Sequence, residues 1–267
     1  MKMIGVTSQS FSFGNTDAGA SENRVTTTPF FMSEFPIDTG LWNQFVTATG
    51  YHHSLDGAET WDWGWTVADP QNGFDPLQPN HPAVGVCYAD SLAFCAWLTE
   101  LSGTHVRLPT EIEFEAAARA GCRCTTYCKS AKSVRDVVRQ YGDNALRRPP
   151  SLNDKAANAF GLYSMHGHIW HWCSDVVNLD GEVPSTAALV MSDVARWDGK
   201  SVSDGRVIRG GSFAYPVEFA CCVARSISRE TDRNFNVGFR VVTQANAEVA
   251  TAHEVLEGLG FNKEPTL

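Results

Sequence analysis

Apolar and polar positions alternate along this chain with a period that changes several times, and each change marks an element. In "DTGLWNQFVTATG", Leu41, Trp42, Phe45 and Val46 fall at helical spacing. Asp38 stands where an N-cap acceptor belongs, and Gly50 stops the run. "YADSLAFCAWLTELSG" predicts a second helix carrying apolar Leu92, Phe94, Cys95, Leu98 and Leu101, ending at Gly103. A third is predicted over "PTEIEFEAAARAG", where Thr110 and Glu113 can form a capping box and Pro109 restricts the entry. Ile112, Phe114, Ala117 and Ala118 make its buried face, and Gly121 ends it. "SVRDVVRQYG" and "NAEVATAHEVLEGLG" read as two further short helices, the latter as an appended tail.

Elsewhere the pattern shortens to strand-like runs bounded by Gly, Pro, Asn and Asp: "RVTTTPFFMSEFPI", "IWHWCSD" and "RVIRGGSFAY". In "VGFRVV", Val237, Phe239 and Val241 suit one face of a strand, with Gly238 and Arg240 on the other. Arg209 and Arg240 are expected to be structural, forking onto carboxylates or carbonyls. A few helices packed on short strands describe an α+β domain over residues 1–243, followed by a helical tail over 244–267.

Composition narrows the function classes. With 267 residues, 43% hydrophobic and 19% charged, the chain has the makings of a substantial core. A formal net charge of −9 argues against nucleic acid or an anionic membrane as partner. "MKMIGVTSQSFSFG" turns polar too soon for a signal peptide, and "LAFCAWL" is too short to span a bilayer. The expectation is therefore cytoplasmic synthesis, with surface or virion display only by another route, and 8 mostly reduced cysteines. Cys122, Cys124 and Cys128 crowd like metal ligands, but no companion CxxC or histidine pair follows them. Neither a GxSxG elbow nor an HExxH motif occurs, which argues against the corresponding hydrolases.

"GLYSMHGHIWHWCSD" concentrates three histidines. If residues 165–173 are extended, His166 and His168 share a face and form a candidate transition-metal pair, with His171 on the opposite face. The blander reading is that all three are buried hydrogen-bonding residues, and it is preferred here. His52 and His53 read as loop residues.

Five segments stand in an order that resembles the formylglycine-generating enzyme (sulfatase-modifying factor) family. They are "HPAVGVCYADSLAFCAWLTELSG", "VRLPTEIEFEAAARAG", "NAFGLYSMHGHIWHWCSD", "RVIRGGSF" and "NVGFRVV". The likeness runs from about Phe11 to Val242. It implies a C-type-lectin-like single domain with a short twisted antiparallel sheet, two main helices and much irregular structure. It also implies a pair of copper-binding cysteines after the "GGS" turn, two thiolates being a soft site that selects Cu(I). Here that segment reads "GGSFAYPVEFACCVARS", with Ala214, Tyr215 and Val217 in the positions implied for the pair. Adjacent Cys221 and Cys222 on a strand would face opposite ways. Copper and formylglycine generation are therefore not expected. A sulfoxide-synthase role, implied by other relatives, would need an additional helical iron-binding domain for which no length is expected.

The resemblance further implies calcium. Where the family reads "GNVWEW", His168 replaces the Asn and His171 the Glu, which weakens a hard-oxygen site. A second candidate Ca²⁺ site falls around Asn144, Ala145, Asn153 and Lys155. The expected function is non-catalytic recognition of a protein or glycan ligand. The expected ligand-binding residues are Tyr215, Glu218, Phe219, Arg229, Arg233, Asn234 and Phe235, since aromatic and Arg side chains anchor interfaces and function sits on loops. This segment resembles the one varied in retroelement-diversified variable proteins. The alternative is a metal-dependent oxidative enzyme that modifies proteins or small molecules, using His166, His168 or the Cys122 cluster in place of the lost pair.

Overall fold

The structure, a computed structural model, describes residues 1–14, 24–52, 78–122, 149–152, 157–177, 205–215 and 220–244. The first part of the chain forms β1 (Met3–Val6), β2 (Ser10–Ser12), β3 (Arg24–Thr26), β4 (Phe30–Ser33) and α1 (Thr39–Thr49). Then come α2 (Tyr88–Ser102), β5 (Val106–Arg107), α3 (Glu111–Arg119) and β6 (Trp170–Val177). β7 (Gly205–Arg209), β8 (Arg225–Arg229), β9 (Val237–Gly238) and β10 (Val242–Gln244) complete the described elements. One sheet has the order β1-β4-β10-β5 and a second β8-β7-β6-β9, while β2 and β3 pair as a ribbon. All pairings are antiparallel except β6 with β9. This is the expected α+β architecture of short curled sheets with few helices.

The helix ends follow from local chemistry. Asp38 accepts from the Leu41 amide at 2.7 Å, and Gly50 closes α1 in the left-handed region. Thr110 and Glu113 exchange both bonds of a capping box at the start of α3. α3 stops earlier than the glycine suggests, because Ala120 takes the left-handed cap and donates to the Ala116 carbonyl. In α2 the helical period divides the apolar residues: Phe94, Cys95 and Leu98 are buried, whereas Leu92 and Leu101 are 44% and 38% exposed.

Two apolar clusters dominate the interior. Trp42, Phe45, Phe94 and Phe239 form an aromatic knot joining α1 and α2 to the chain before β10. Phe30, Met32, Phe114, Leu162 and Val207 form the other, between α3 and strands of both sheets. Across the second cluster runs a buried ionic chain. Glu115 bridges Arg119, at 2.7 Å, and Arg209, and Glu111 pairs with Arg225, also at 2.7 Å. The Gly14 amide donates to Glu115, and Phe13 lies 5.9 Å from the Arg209 guanidinium, so the segment after β2 covers the pairs.

The expected alternation in "VGFRVV" does not hold. Residues 239–241 leave the ladder, with Phe239 and Val241 carbonyls accepting from Ile37 and Ser33, and both sides of the segment are buried. Arg240 is fully buried and donates to the Ser33, Glu34 and Tyr163 carbonyls, a structural role. Gly238 is required there because a Cβ would collide with the Ala83 carbonyl.

Candidate functional site

The turn after β7 is built by close backbone approach. β6 and β7 pair with His171 opposite Arg209. Gly210 then takes φ +103, and a Cβ on it would lie 3.1 Å from each of His171 Nδ1, the Met165 carbonyl and Phe114. Gly167 donates to the Gly210 carbonyl at 2.8 Å and Phe213 to that of His168 at 3.0 Å, which pins the turn against the histidine segment.

Two of the expected ligand-binding residues make aromatic contacts with this scaffold. Tyr215 follows exposed Ala214, is half-buried, and packs edge-on against Trp170 with ring centroids 6.0 Å apart. Phe235, also half-buried, packs edge-on against Phe213 at 5.8 Å. Asn236 donates to Ser212 Oγ at 2.9 Å, and its carbonyl accepts from the Trp170 amide at 2.8 Å. Trp170, Ser212 and Asn236 thus tie the turn to the chain before β9, through partners distant in the sequence. Arg229 and Asn234 belong to the turn beside it. Asp232 accepts from Ser228 Oγ and the Arg229 amide, at 2.8 and 2.9 Å, and Asn234 donates to Ser228 Oγ at 3.2 Å.

Arg233 lies elsewhere. It is 8% exposed and forks onto Asp90, which also accepts from Tyr51 Oη at 2.8 Å and the Cys87 amide at 2.8 Å. The guanidinium therefore joins the β8–β9 connection to the first turn of α2 inside the molecule. Burial, then the Asp90 carboxylate, pushes the Tyr51 hydroxyl pKa up. Glu218, Phe219, Asn144, Ala145, Asn153, Lys155, His53, Cys124 and Cys128 lie outside the described residues.

The histidine segment is not a continuous strand. β6 starts only at Trp170, and Gly167 takes φ +69, so the alternation breaks between the first two histidines. His166 Nε2 meets the Ala118 carbonyl at 3.3 Å, and His168 Nε2 the Pro150 carbonyl at 3.0 Å. His171 Nδ1 faces the Arg209 carbonyl at 3.4 Å. Because a carbonyl only accepts, each of these nitrogens carries its proton. Burial holds all three rings neutral, lowering His166 to about 4, His168 to about 3 and His171 well below its ordinary value. Each ring serves a different carbonyl.

The residues at 168 and 171 do not fit the calcium that the resemblance implies there. Imidazole nitrogens replace the oxygen donors, and the His168 N–H is turned to the Pro150 carbonyl. Nor do the cysteines fit copper. Ala214 and Tyr215 occupy the implied positions, while Cys221 and Cys222 are buried. Burial raises both thiols, Cys222 to about 12 with His166 Nε2 4.0 Å from its sulfur. Cys122 is disulfide-bonded, which departs from the all-thiol reading of its cluster, whereas Cys87, Cys95, Cys173, Cys221 and Cys222 are free. Among the described residues, no three His, Cys, Asp or Glu side chains converge to hold a metal, and no helix is long and apolar enough to cross a membrane.

Comparison with known proteins agrees with this architecture. Residues 1–245 match the family described as sulfatase-modifying factor enzyme 1-like domain. The formylglycine-generating enzyme of Thermomonospora curvata is 26% identical over 262 residues, covering 79% of this chain and 82% of that enzyme. Hercynine oxygenase of Mycolicibacterium thermoresistibile is 26% identical over 227 residues, covering 78% of this chain but 47% of that protein. Among solved structures, Treponema denticola variable protein 1 superimposes with a TM-score of 0.61 at 20% identity, covering 91% of this chain and 95% of that one.

Proposed function

The chain belongs to the sulfatase-modifying factor enzyme 1-like domain family, and from that premise we propose that it recognises a protein or glycan ligand without catalysing a reaction. The observation that carries the reading is the turn after Gly211. Where a copper enzyme of this scaffold needs two convergent thiolates, this chain sets an exposed Ala214 and a half-buried Tyr215. The nearest cysteines in sequence, Cys221 and Cys222, are buried and protonated. Tyr215 and Phe235 then serve as rigid aromatic anchors, with Arg229 and Asn234 on the adjoining turn supplying hydrogen bonds. An oxidative enzyme built on histidines would need their nitrogens to converge with an open coordination position. His166 and His168 serve different carbonyls, so no observation favours that alternative.

Two measurements on tag-free protein test the proposal. Incubated with Cu(I), dioxygen and a cysteine-containing sulfatase peptide, it is expected to form no aldehyde and to retain no stoichiometric copper or iron. On glycan and peptide arrays it is expected to give a ligand whose binding falls at least tenfold in Tyr215→Ala and in Phe235→Ala while both variants still melt cooperatively. Aldehyde formation, or a ligand bound equally by both variants, would overturn it.

A further inference from the structure

His171 is a fully buried base at the foot of the turn after β7. Its Nδ1–H is turned to the carbonyl of Arg209, the last residue of β7, at 3.4 Å. Its Nε2 is buried and meets no hydrogen-bonding group among the described residues. Gly210 closes over the ring so tightly that a Cβ there would lie 3.1 Å from Nδ1, and Phe114 packs on it with ring centroids 5.2 Å apart. The site has an acceptor for one ring proton and none for a second.

The surrounding charges point the same way. Arg240, between β9 and β10, and His168 and His166, before β6, all disfavour a positive charge on the ring. On α3, Glu111 and Glu115 face the Arg209 guanidinium and pair further with Arg225 and Arg119, so neither carboxylate is left for an imidazolium. β9 brings only Gly238 opposite this position, and the Cys173 thiol meets the backbone carbonyl of His171. Burial, then Arg240, holds the ring neutral.

We propose that His171 is an acid-operated latch: it takes its second proton only when the turn over residues 210–215 lifts away, so acid opens that turn while α1 and α2 stay folded. Two further bonds part with the turn, from Gly167 to the Gly210 carbonyl at 2.8 Å and from Phe213 to the His168 carbonyl at 3.0 Å. Beyond Phe213 the same turn carries Ala214 and Tyr215. The latch therefore regulates residues assigned above to ligand recognition, and it rests on that reading only for its consequence, release of ligand in acid. The sign follows from the two states. Closed, the ring is held well below its ordinary value; open and solvated, it returns to 6.5. Opening is unaffected above that value and grows about tenfold for each pH unit below it. Between pH 7.5 and 5 one histidine raises the opening constant about thirtyfold.

Native-state hydrogen exchange on ligand-free protein, corrected for the intrinsic effect of pH, tests the latch separately from recognition. The Gly167 and Phe213 amides should open about thirtyfold more at pH 5 than at pH 7.5. Their opening should also be insensitive to low urea, since a local event exposes little surface, whereas global opening of α1 and α2 grows with urea. His171→Gln, which keeps a donor for the Arg209 carbonyl but takes no proton, should remove the rise. Nitrogen spectra of histidine-labelled, unsubstituted protein give a reading that does not depend on the variant folding. In the closed state at pH 5, His171 should keep Nδ1 protonated and Nε2 bare. Four outcomes would each overturn the proposal: equal opening at both pH values, turn amides that follow urea as steeply as those of α1 and α2, a rise that survives His171→Gln, or a ring that titrates at its ordinary value while the turn stays protected.

Discussion

A neutral imidazole costs little to bury when its N–H meets a carbonyl, and His168 meets that of Pro150. The linkage consequence has a definite sign. The folded-state pKa of His168 is lowered to about 3, while in the unfolded chain it returns to its ordinary 6.5. Above 6.5 neither state binds the proton; below it the unfolded chain does and the folded one does not. Stability should therefore fall as pH drops from 6.5 towards 4, by about 1.4 kcal/mol per pH unit for one such histidine. Urea unfolding followed at several pH values checks this. His168→Gln, which keeps a donor for Pro150, should flatten the acid limb relative to the parent, and an unchanged slope would refute the assignment. Thiol chemistry gives a second expectation at this scale. Burial raises Cys95 and Cys222 to about 12, and Cys87, Cys173 and Cys221 are also buried. An aromatic disulfide reagent at pH 8 should leave all five unlabelled in the native protein, to be labelled only in denaturant.

At the scale of elements, the Arg233–Asp90 pair decides how the connection between β8 and β9 meets α2. Asp90 lies in the first turn of that helix and also fills the Cys87 capping position. Removing the guanidinium leaves a carboxylate buried without its counterion, at a cost of about 3–5 kcal/mol. Arg233→Ala should lower the urea midpoint accordingly, and the double variant Asp90→Asn, Arg233→Met should recover part of the loss. A small effect of the single substitution would place Arg233 back on the surface, as the sequence reading had it. The pairing is not legible in the sequence, because Asp90 lies some 140 positions before Arg233 in the chain. The helix boundaries were legible for the opposite reason, since Asp38, Gly50, Thr110 and Glu113 act on backbone groups within four positions of themselves.

For the whole molecule, the family match and the side chains that follow Gly211 belong to different layers, the one carried by the frame and the other by a turn. Contacts between residues far apart in the chain tie the frame together. Arg209 reaches Glu115, Arg240 reaches the Ser33 and Tyr163 carbonyls, and Trp172 Nε1 donates to the Val86 carbonyl at 2.9 Å. These buried groups hold a rigid frame whatever the turn after Gly211 carries. Loops tolerate substitution more readily than such a buried polar frame does.

The sequence by itself determined the α+β class, the three described helices with their caps at Asp38, Gly50, Gly103 and Thr110, and the family. Each of these rests on residue order or on contacts a few positions long. Only the tertiary structure decided which side of α2 faces water, that the three histidines serve three separate carbonyls, and that Arg233 is an internal counterion. The period of a helix or strand says which residues point the same way. Which way that is depends on groups brought together from distant parts of the chain, and on the dehydration that fixes their protonation.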